Sequence, residues 1–297
     1  MGLEDPRQLP ITVNKPAAHA GRQGAVLWPK AGARVFDTGR LSVPAPLDQV
    51  VAYYWWVTWR HEEPAPFRQQ VLSHPVTHLT VEAAEGGILH HRTVPAALVH
   101  GLVTKVFTVD LPVAGRVAGI AFHPGGLAAL LDRDVRDLTD AVVGAEEVFG
   151  PAVAAFTEQV LEADDDEARR DIAVTFLSTY LAHRAEQVRA DPGYAVVRAA
   201  VELMREREHV TLAPIAEQVH VSVRTLQRLF TRYVGASPLW VLRRHRLQDA
   251  VAALDAGAGE DLSALAASLG FADHAHLTRA FTEVIGVPPS RYRAAQR

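Results

Sequence analysis

The chain has 297 residues, 48% of them hydrophobic and 22% charged, enough to bury a core and long enough for two domains. The absence of cysteine excludes disulfides, thiolate zinc sites and thiol nucleophiles, and fits a reducing compartment. A net charge of −4 argues against indiscriminate binding to polyanions, yet the charge is divided: beyond residue 192 there are 13 arginines, no lysine and 10 acidic residues, a net +3 that leaves −7 for the rest.

Residues 1–21 hold Glu4, Asp5 and Arg7 among three prolines and lack the apolar stretch of a secretion signal. No later segment approaches the ~20 apolar residues of a membrane span. The expected setting is soluble and cytoplasmic, with no membrane partner. Up to about Val148 the composition is rich in Val, Thr, His, Trp, Pro and Gly, in short alternating runs cut by turn signals such as Pro44-Ala45-Pro46 and Glu85-Gly86-Gly87. In residues 53–59 a period of two puts Tyr53, Trp55, Val57 and Trp59 on one face and Tyr54, Trp56 and Thr58 on the other, so this strand is expected to be buried on both sides. Residues 76–81 and 103–109 also have strand composition, and a barrel or sandwich is the expected closure.

From Gly150 the pattern turns helical, with Val153, Phe156, Val160 and Leu161, then Ile172, Phe176, Leu177, Tyr180 and Leu181. The acidic run Asp164-Asp165-Asp166-Glu167 reads as a capped, solvated helix start. The chain thus divides into a mainly β region over residues 1–149, a helical linker or dimerisation segment over 150–190, and an all-α region over 191–297, an α+β protein overall.

The region from Leu212 to Tyr292 matches itself at an offset of 51 residues: Ala216 with Ala267, Leu226 with Leu277, Arg228 with Arg279, Phe230 with Phe281, Gly235 with Gly286 and Pro238 with Pro289. Each unit reads as helix, tight turn and second helix, the arrangement in which the second helix enters the major groove of DNA. Thr211, Ser222, either Asp261 or Ser263, and Asp273 stand at the expected helix starts, with Gly235 and Gly286 at the ends. At 100° per residue Val223, Leu226, Leu229, Phe230 and Tyr233 face inward in the first recognition helix, placing Arg224, Arg228 and Thr231 outside and Gln227 at the flank. In the second, Leu277, Ala280, Phe281 and Val284 face inward, Ala275, Arg279 and Thr282 outward, and Thr278 lies at the flank. Arg and Gln suit bidentate contacts with guanine and adenine edges. Between the units Ser237-Pro238 opens a helix running to about Ala256, on which Arg243, Arg244 and Arg246 are in reach of phosphates or of surface ion pairs.

These motifs, with Ser222-Val223-Arg224-Thr225-Leu226-Gln227-Arg228-Leu229-Phe230, Leu269-Gly270-Phe271-Ala272-Asp273 and Gly286-Val287-Pro288-Pro289-Ser290-Arg291-Tyr292, resemble the AraC family of bacterial transcription regulators over about a third of the chain. The resemblance implies sequence-specific binding to double-stranded DNA, with RNA polymerase, a small effector and a second copy of the chain as partners. It places DNA readers at Arg224, Gln227 and Arg228, then at His274, Ala275, His276, Thr278 and Arg279. Ala275 departs from the pattern, since alanine offers only an apolar contact such as with a thymine methyl, and His274, at the partly inward position of Val223, ranks below Arg279. Specificity is therefore expected to sit mainly in the half-site read by the first helix. Phe122-His123-Pro124-Gly125-Gly126 and His74-Pro75 resemble a group of these regulators with an N-terminal sensor domain.

Histidines recur through this half (His61, His74, His78, His90, His91, His100 and His123 among them), and His74 with His78, or His90 with His123, are the pairings a metal would need. Histidines scattered over several strands are more often hydrogen-bonded core or surface residues, so neither metal nor other cofactor is expected. A metal-dependent cupin-like enzyme fused to a DNA-binding region is a rival, but no metalloprotease, nucleophile-elbow, phosphate-loop or dinucleotide motif is present, and no enzymatic activity is expected. Alkylation-repair chemistry is excluded with the cysteines. A DNA-binding regulator that uses its N-terminal half only to dimerise, without ligand, remains the second alternative.

Overall fold

Aromatic and β-branched residues with bulk on both faces make residues 51–60 a ten-residue strand, and the neighbouring strands are fitted to its indoles. Trp56 lies across Gly39, Trp59 across Gly115 and Trp55 across Gly119, each pair in direct cross-strand register. A Cβ at Gly115 would stand 2.2 Å from the Trp59 ring, so the glycines are the space into which the rings fold. The computed structural model describes residues 25–27, 36–62, 66–206, 211–257 and 261–295; residues 1–21 lie outside them, so the absence of a secretion signal stays a reading of sequence.

The strands are β1 (Ala25–Leu27), β2 (Phe36–Leu41), β3 (Val51–Arg60), β4 (Phe67–Leu72), β5 (His78–Ala84), β6 (Ile88–Leu89), β7 (Arg92–Thr93), β8 (Ala96–His100), β9 (Phe107–Leu111), β10 (Ala114–Phe122) and β11 (Val142–Gly144). They form an antiparallel six-stranded sheet in the order β11-β8-β5-β10-β3-β2, a three-stranded sheet β1-β4-β9 and the small hairpin β6-β7. Between the two sheets Trp59, Leu89, Val94, Leu111 and Val117 form one core, with Phe67 and Val109 against it. The mainly β expectation for this half holds, with one displaced element. Residues 103–106 have strand composition but form a loop, because the carbonyls of residues 103–105 are taken by an arginine from the C-terminal half.

The helices that follow are α1 (Gly126–Leu131), α2 (Glu146–Phe149), α3 (Val153–Glu162), α4 (Asp166–Ala182), α5 (Ala185–Ala190) and α6 (Pro192–Arg205), of which α3 and α4 lie on the outer face of the large sheet. Phe156 and Val160 of α3 and Ala173, Leu177 and Leu181 of α4 share a core with Tyr54, Leu79, Val81 and Ile120 of the sheet. The apolar stripes legible over residues 150–190 are therefore largely consumed within the chain, with Leu161 left exposed. The acidic run is also more than a solvated start: Asp165 caps α4 by accepting from the Ala168 amide, while Asp166 accepts from the Tyr54 hydroxyl at 2.9 Å and from Arg116 at 3.1 Å, pinning the helix to β3 and β10.

The C-terminal helices are α7 (Leu212–Gln218), α8 (Val223–Val234), α9 (Pro238–Asp255), α10 (Leu262–Ser268), α11 (His274–Ile285) and α12 (Pro289–Ala294). The first unit joins the large core through Ile215, Ala216, Leu226 and Phe230, whereas Leu277, Phe281 and Tyr292 build a second core to which Leu27 and Leu72 of the small sheet contribute. No helix among the described residues is long and apolar enough to cross a membrane.

The segment Phe122-His123-Pro124-Gly125-Gly126 is the joint between the halves. Gly126 passes so close to Val50 that a Cβ would stand 2.1 Å from its carbonyl oxygen, and Gly125, at φ +83, faces Tyr194 and Tyr233. His123 donates from Nε2 to the Asp48 carbonyl at 3.1 Å, and burial, aided by Arg198, lowers its pKa to about 4, keeping it neutral. Substituting Gly115 by alanine should lower stability by about 1–3 kcal/mol through overpacking against Trp59, measured by chemical denaturation.

Candidate nucleic-acid interface

Both helical units close their turns on the same backbone bonds. Val221 N donates to Ala216 O at 3.0 Å and Phe271 N to Ala266 O at 2.9 Å, with Ala216 and Ala266 both buried. The left-handed residue of the turn is His220 at φ +55 in the first unit and Gly270 at φ +72 in the second. The first helices thus correspond at an offset of 50 residues, which corrects the uniform 51 read from sequence: Ala216 matches Ala266, and Ala267 is exposed. The second helices, opening at Val223 and His274, keep the offset of 51, and the extra residue of the second turn is Ala272.

Capping fixes where each recognition helix begins. Ser222 accepts from the Thr225 amide at 3.1 Å and Asp273 from the His276 amide at 2.6 Å; Gly235 and Gly286 end the helices in left-handed conformation. Asp261, not Ser263, caps α10, while Thr211 stands at the start of α7 without a side-chain capping bond.

On α8, Leu226 and Phe230 are fully buried and the Tyr233 hydroxyl donates to Asp191 at 2.7 Å, so the opposite face presents Arg224, Gln227 and Arg228 to solvent. Thr231, half-buried, donates its hydroxyl to the Gln227 carbonyl at 3.0 Å, and Arg232 pairs with Asp132 at 2.8 Å. On α11, His274, Ala275 and Arg279 are exposed; His274 lies outward rather than partly inward, with Nε2 3.2 Å from the Thr278 hydroxyl. His276 is drawn inward instead. Its ring meets Phe271 edge-on at 5.3 Å and its Nδ1 accepts from the Ala272 amide at 3.4 Å, which holds the longer turn in shape.

The three arginines of α9 have three different surroundings. Arg243 is exposed, and Arg246 donates to the Gly270 carbonyl at 3.1 Å, fastening the helix to the second turn. Arg244, read from sequence as a phosphate contact, is 2% exposed and donates to the carbonyls of Val103, Thr104 and Lys105 at 3.1, 2.5 and 3.3 Å while its guanidinium stacks 4.6 Å above the Trp240 ring. It is a docking residue in this structure, because its Nη2 is taken by the loop of residues 103–105 and its guanidinium is buried away from any phosphate.

Residues 215–295 match a family model described as a helix-turn-helix domain. The chain is 37% identical over 83 residues to an AraC-like transcription regulator of Streptomyces lividans and 36% identical over 105 residues to one of Streptomyces antibioticus. The C-terminal domain is of the AraC type. The matched stretches are 28% and 35% of this chain and 27% and 34% of the relatives, so the chain spans about a third or less of the curated proteins it matches. The AraC-type domain is also similar to the crystal structure of the DNA-binding domain of AdpA, a global transcriptional factor, in complex with a target DNA, at 30% identity over 36% of this chain and 94% of that one, with a TM-score of 0.32. Residues 40–144 match a domain of unknown function (DUF6597).

Two of the histidines paired from sequence are engaged elsewhere. His78 accepts the Trp55 indole N–H at 3.2 Å, and burial lowers its pKa to about 3; His123 is committed to the joint. His90 instead converges with His100 on Glu82, a carboxylate that sequence reading did not single out, since the grouping depends on the pairing of β5 with β8 and on the β6-β7 turn.

Arg244→Met should lower stability by about 1–3 kcal/mol by leaving buried carbonyls without donors, whereas Arg243→Ala should change it by less than about 0.5 kcal/mol in the same denaturation experiment. His220→Gly removes a left-handed non-glycine residue from the first turn and should stabilise the fold by about 0.5–1 kcal/mol, read as a rise in melting temperature.

Proposed function

We propose that this chain is a sequence-specific DNA-binding transcription regulator, acting in the cytoplasm and controlled through its N-terminal half by a small effector or by dimerisation. The observation that carries the reading is α8, a capped helix whose inner face is fully buried and whose outer face offers Arg224, Gln227 and Arg228, repeated in a second helix-turn-helix unit as α11. Arg224, Gln227 and Arg228 are assigned to base edges, with Arg279 the main reader of the second helix and Ala275 an apolar contact. His274 and Thr278 contact DNA as a hydrogen-bonded pair, Arg243 holds phosphate, and His276 and Thr231 act by shaping their helices. The 18 residues of α9 extend about 27 Å, against the ~34 Å between successive major grooves on one side of B-DNA, a separation suited to holding two readers on neighbouring grooves.

Control through the N-terminal half is supported by the contacts that α9 and α8 make with it. The loop of residues 103–105 grips Arg244, the Leu72 carbonyl accepts from Gln248 at 3.0 Å, and the Gly235 carbonyl accepts from the Thr139 hydroxyl at 2.9 Å. A change in the barrel therefore acts on the helix that sets the spacing of the two readers. RNA polymerase is the partner such a regulator requires once bound upstream of a gene.

Selection of bound sites from random duplexes, followed by affinity measurement with the full chain, tests the reading. Arg228→Ala should cost about 1–3 kcal/mol on the selected site and much less on random DNA. An equal loss on both would reduce Arg228 to a phosphate contact, and protection of one major groove instead of two would overturn the tandem reading.

A further inference from the structure

Between the two sheets, on the face of the large sheet that looks toward the small one, a carboxylate and two imidazoles converge. Along β5 the alternation sends Leu79 and Val81 to the helical layer and His78, Thr80 and Glu82 to the barrel interior. Glu82 is 1% exposed at its side chain; its Oε1 lies 2.7 Å from His100 Nε2 and its Oε2 3.3 Å from His90 Nε2. The three ligand atoms stand within 4.8 Å of one another. Phe107 of β9 covers both imidazoles, with ring centroids 5.2 Å from His90 and 6.0 Å from His100.

We propose that Glu82, His90 and His100 form a binding site for a divalent transition-metal ion of the zinc class. His100 and the Thr80 hydroxyl both serve Oε1, which leaves the second imidazole facing Oε2. Glu82 Oε2 has no aligned hydrogen-bond donor although it is fully buried and His90 Nε2 is 3.3 Å away. That spacing is what two ligands on one tetrahedral ion adopt, since bonds of about 2.0–2.1 Å at the tetrahedral angle separate donor atoms by about 3.3–3.4 Å. The His100 contact is that of a hydrogen bond and would open by roughly 0.6 Å as the ion replaces the shared hydrogen, which leaves as a proton. Two imidazole donors with one carboxylate favour zinc, iron, cobalt or nickel over magnesium and calcium, which prefer oxygen alone.

Two features of the surroundings agree. Thr80 donates its hydroxyl to Glu82 Oε1 at 2.7 Å, the outer support by which ligating carboxylates are oriented. His90 and His91 form the β6-β7 turn with φ +50 and +60, two positions that ordinarily take Asn and Gly; of the two, His90 is turned into the barrel and His91 lies exposed. Side chains held in this left-handed region are retained where the surrounding structure uses them. The site also has a route to the DNA-binding domain: His100 and Phe107 bracket the segment whose carbonyls hold Arg244.

The test uses the untagged full chain, stripped with a chelator and dialysed, at pH 7.5. Zinc is titrated in competition with a chromophoric chelator, and cobalt is titrated with visible absorption as the readout. One equivalent should bind, with cobalt giving the intense bands of a tetrahedral site. His90→Asn, which suits the left-handed turn, and His100→Gln should each weaken binding by about 100-fold or more, while His91→Asn leaves it unchanged. Should His100→Gln fail to fold, the turn variant His90→Asn still decides. Absence of a bound equivalent, or full binding by a folded His90→Asn protein, overturns the proposal, and neither result depends on whether the chain regulates transcription.

Discussion

A buried guanidinium ties this protein together. Arg244 sits in the middle of α9 with its Nη2 among three successive carbonyls of the loop at residues 103–105 and its flat face on Trp240. Burial lowers its pKa to about 10, with Asp140 acting in the opposite direction, so it stays charged at neutral pH. Asp140 also accepts from the Thr104 amide at 2.7 Å and from its hydroxyl at 2.5 Å, holding the loop in the shape that receives the arginine. A charge placed this deeply demands its partners, and that demand fixes which face of α9 turns toward the barrel.

Everything else about α9 follows from being surrounded. It packs on the first unit through Val241 and Leu242, on the second through Leu247, Val251 and Leu254, and on the barrel through Arg244 and Gln248. With apolar and polar residues buried around most of its circumference, the helix has no single hydrophobic stripe, unlike α8, whose inner and outer faces are cleanly separated. The two recognition helices are thus mounted on one shared helix that is itself held by the N-terminal half, with the His123–Gly126 joint as a second point of attachment.

The barrel carries its polarity inside. His78, Thr80, Glu82 and His100 lie on a face of the large sheet that elsewhere carries Trp59 and Val117 and looks toward Leu111 of the small sheet. Burial alone would raise the Glu82 carboxyl; the hydrogen bond with His100 and the proximity of both imidazoles outweigh it and hold the group well below the usual carboxylate range. Such a cluster is costly to build in an apolar interior, and it lies one loop away from the arginine that attaches the DNA-binding domain.

The local order of this protein was legible in its sequence. Period-two alternation with bulk on both faces marked β3, the spacing of Leu226 and Phe230 marked the inner face of α8 and left Arg224, Gln227 and Arg228 outside, and the caps at Ser222, Ser237 and Asp273 stood where the repeat required them, because each rests on residues within one or two turns of the backbone. What lay between distant segments was decided only by the tertiary structure. The loop at residues 103–105, the burial of Arg244, the inward turn of His276 and the one-residue difference between the two turns depend on partners far away in the chain or on a backbone conformation that a matching residue count conceals. The meeting of Glu82, His90 and His100 is of the same kind: strand register and a left-handed turn bring the three together, and neither is written in the spacing of the residues.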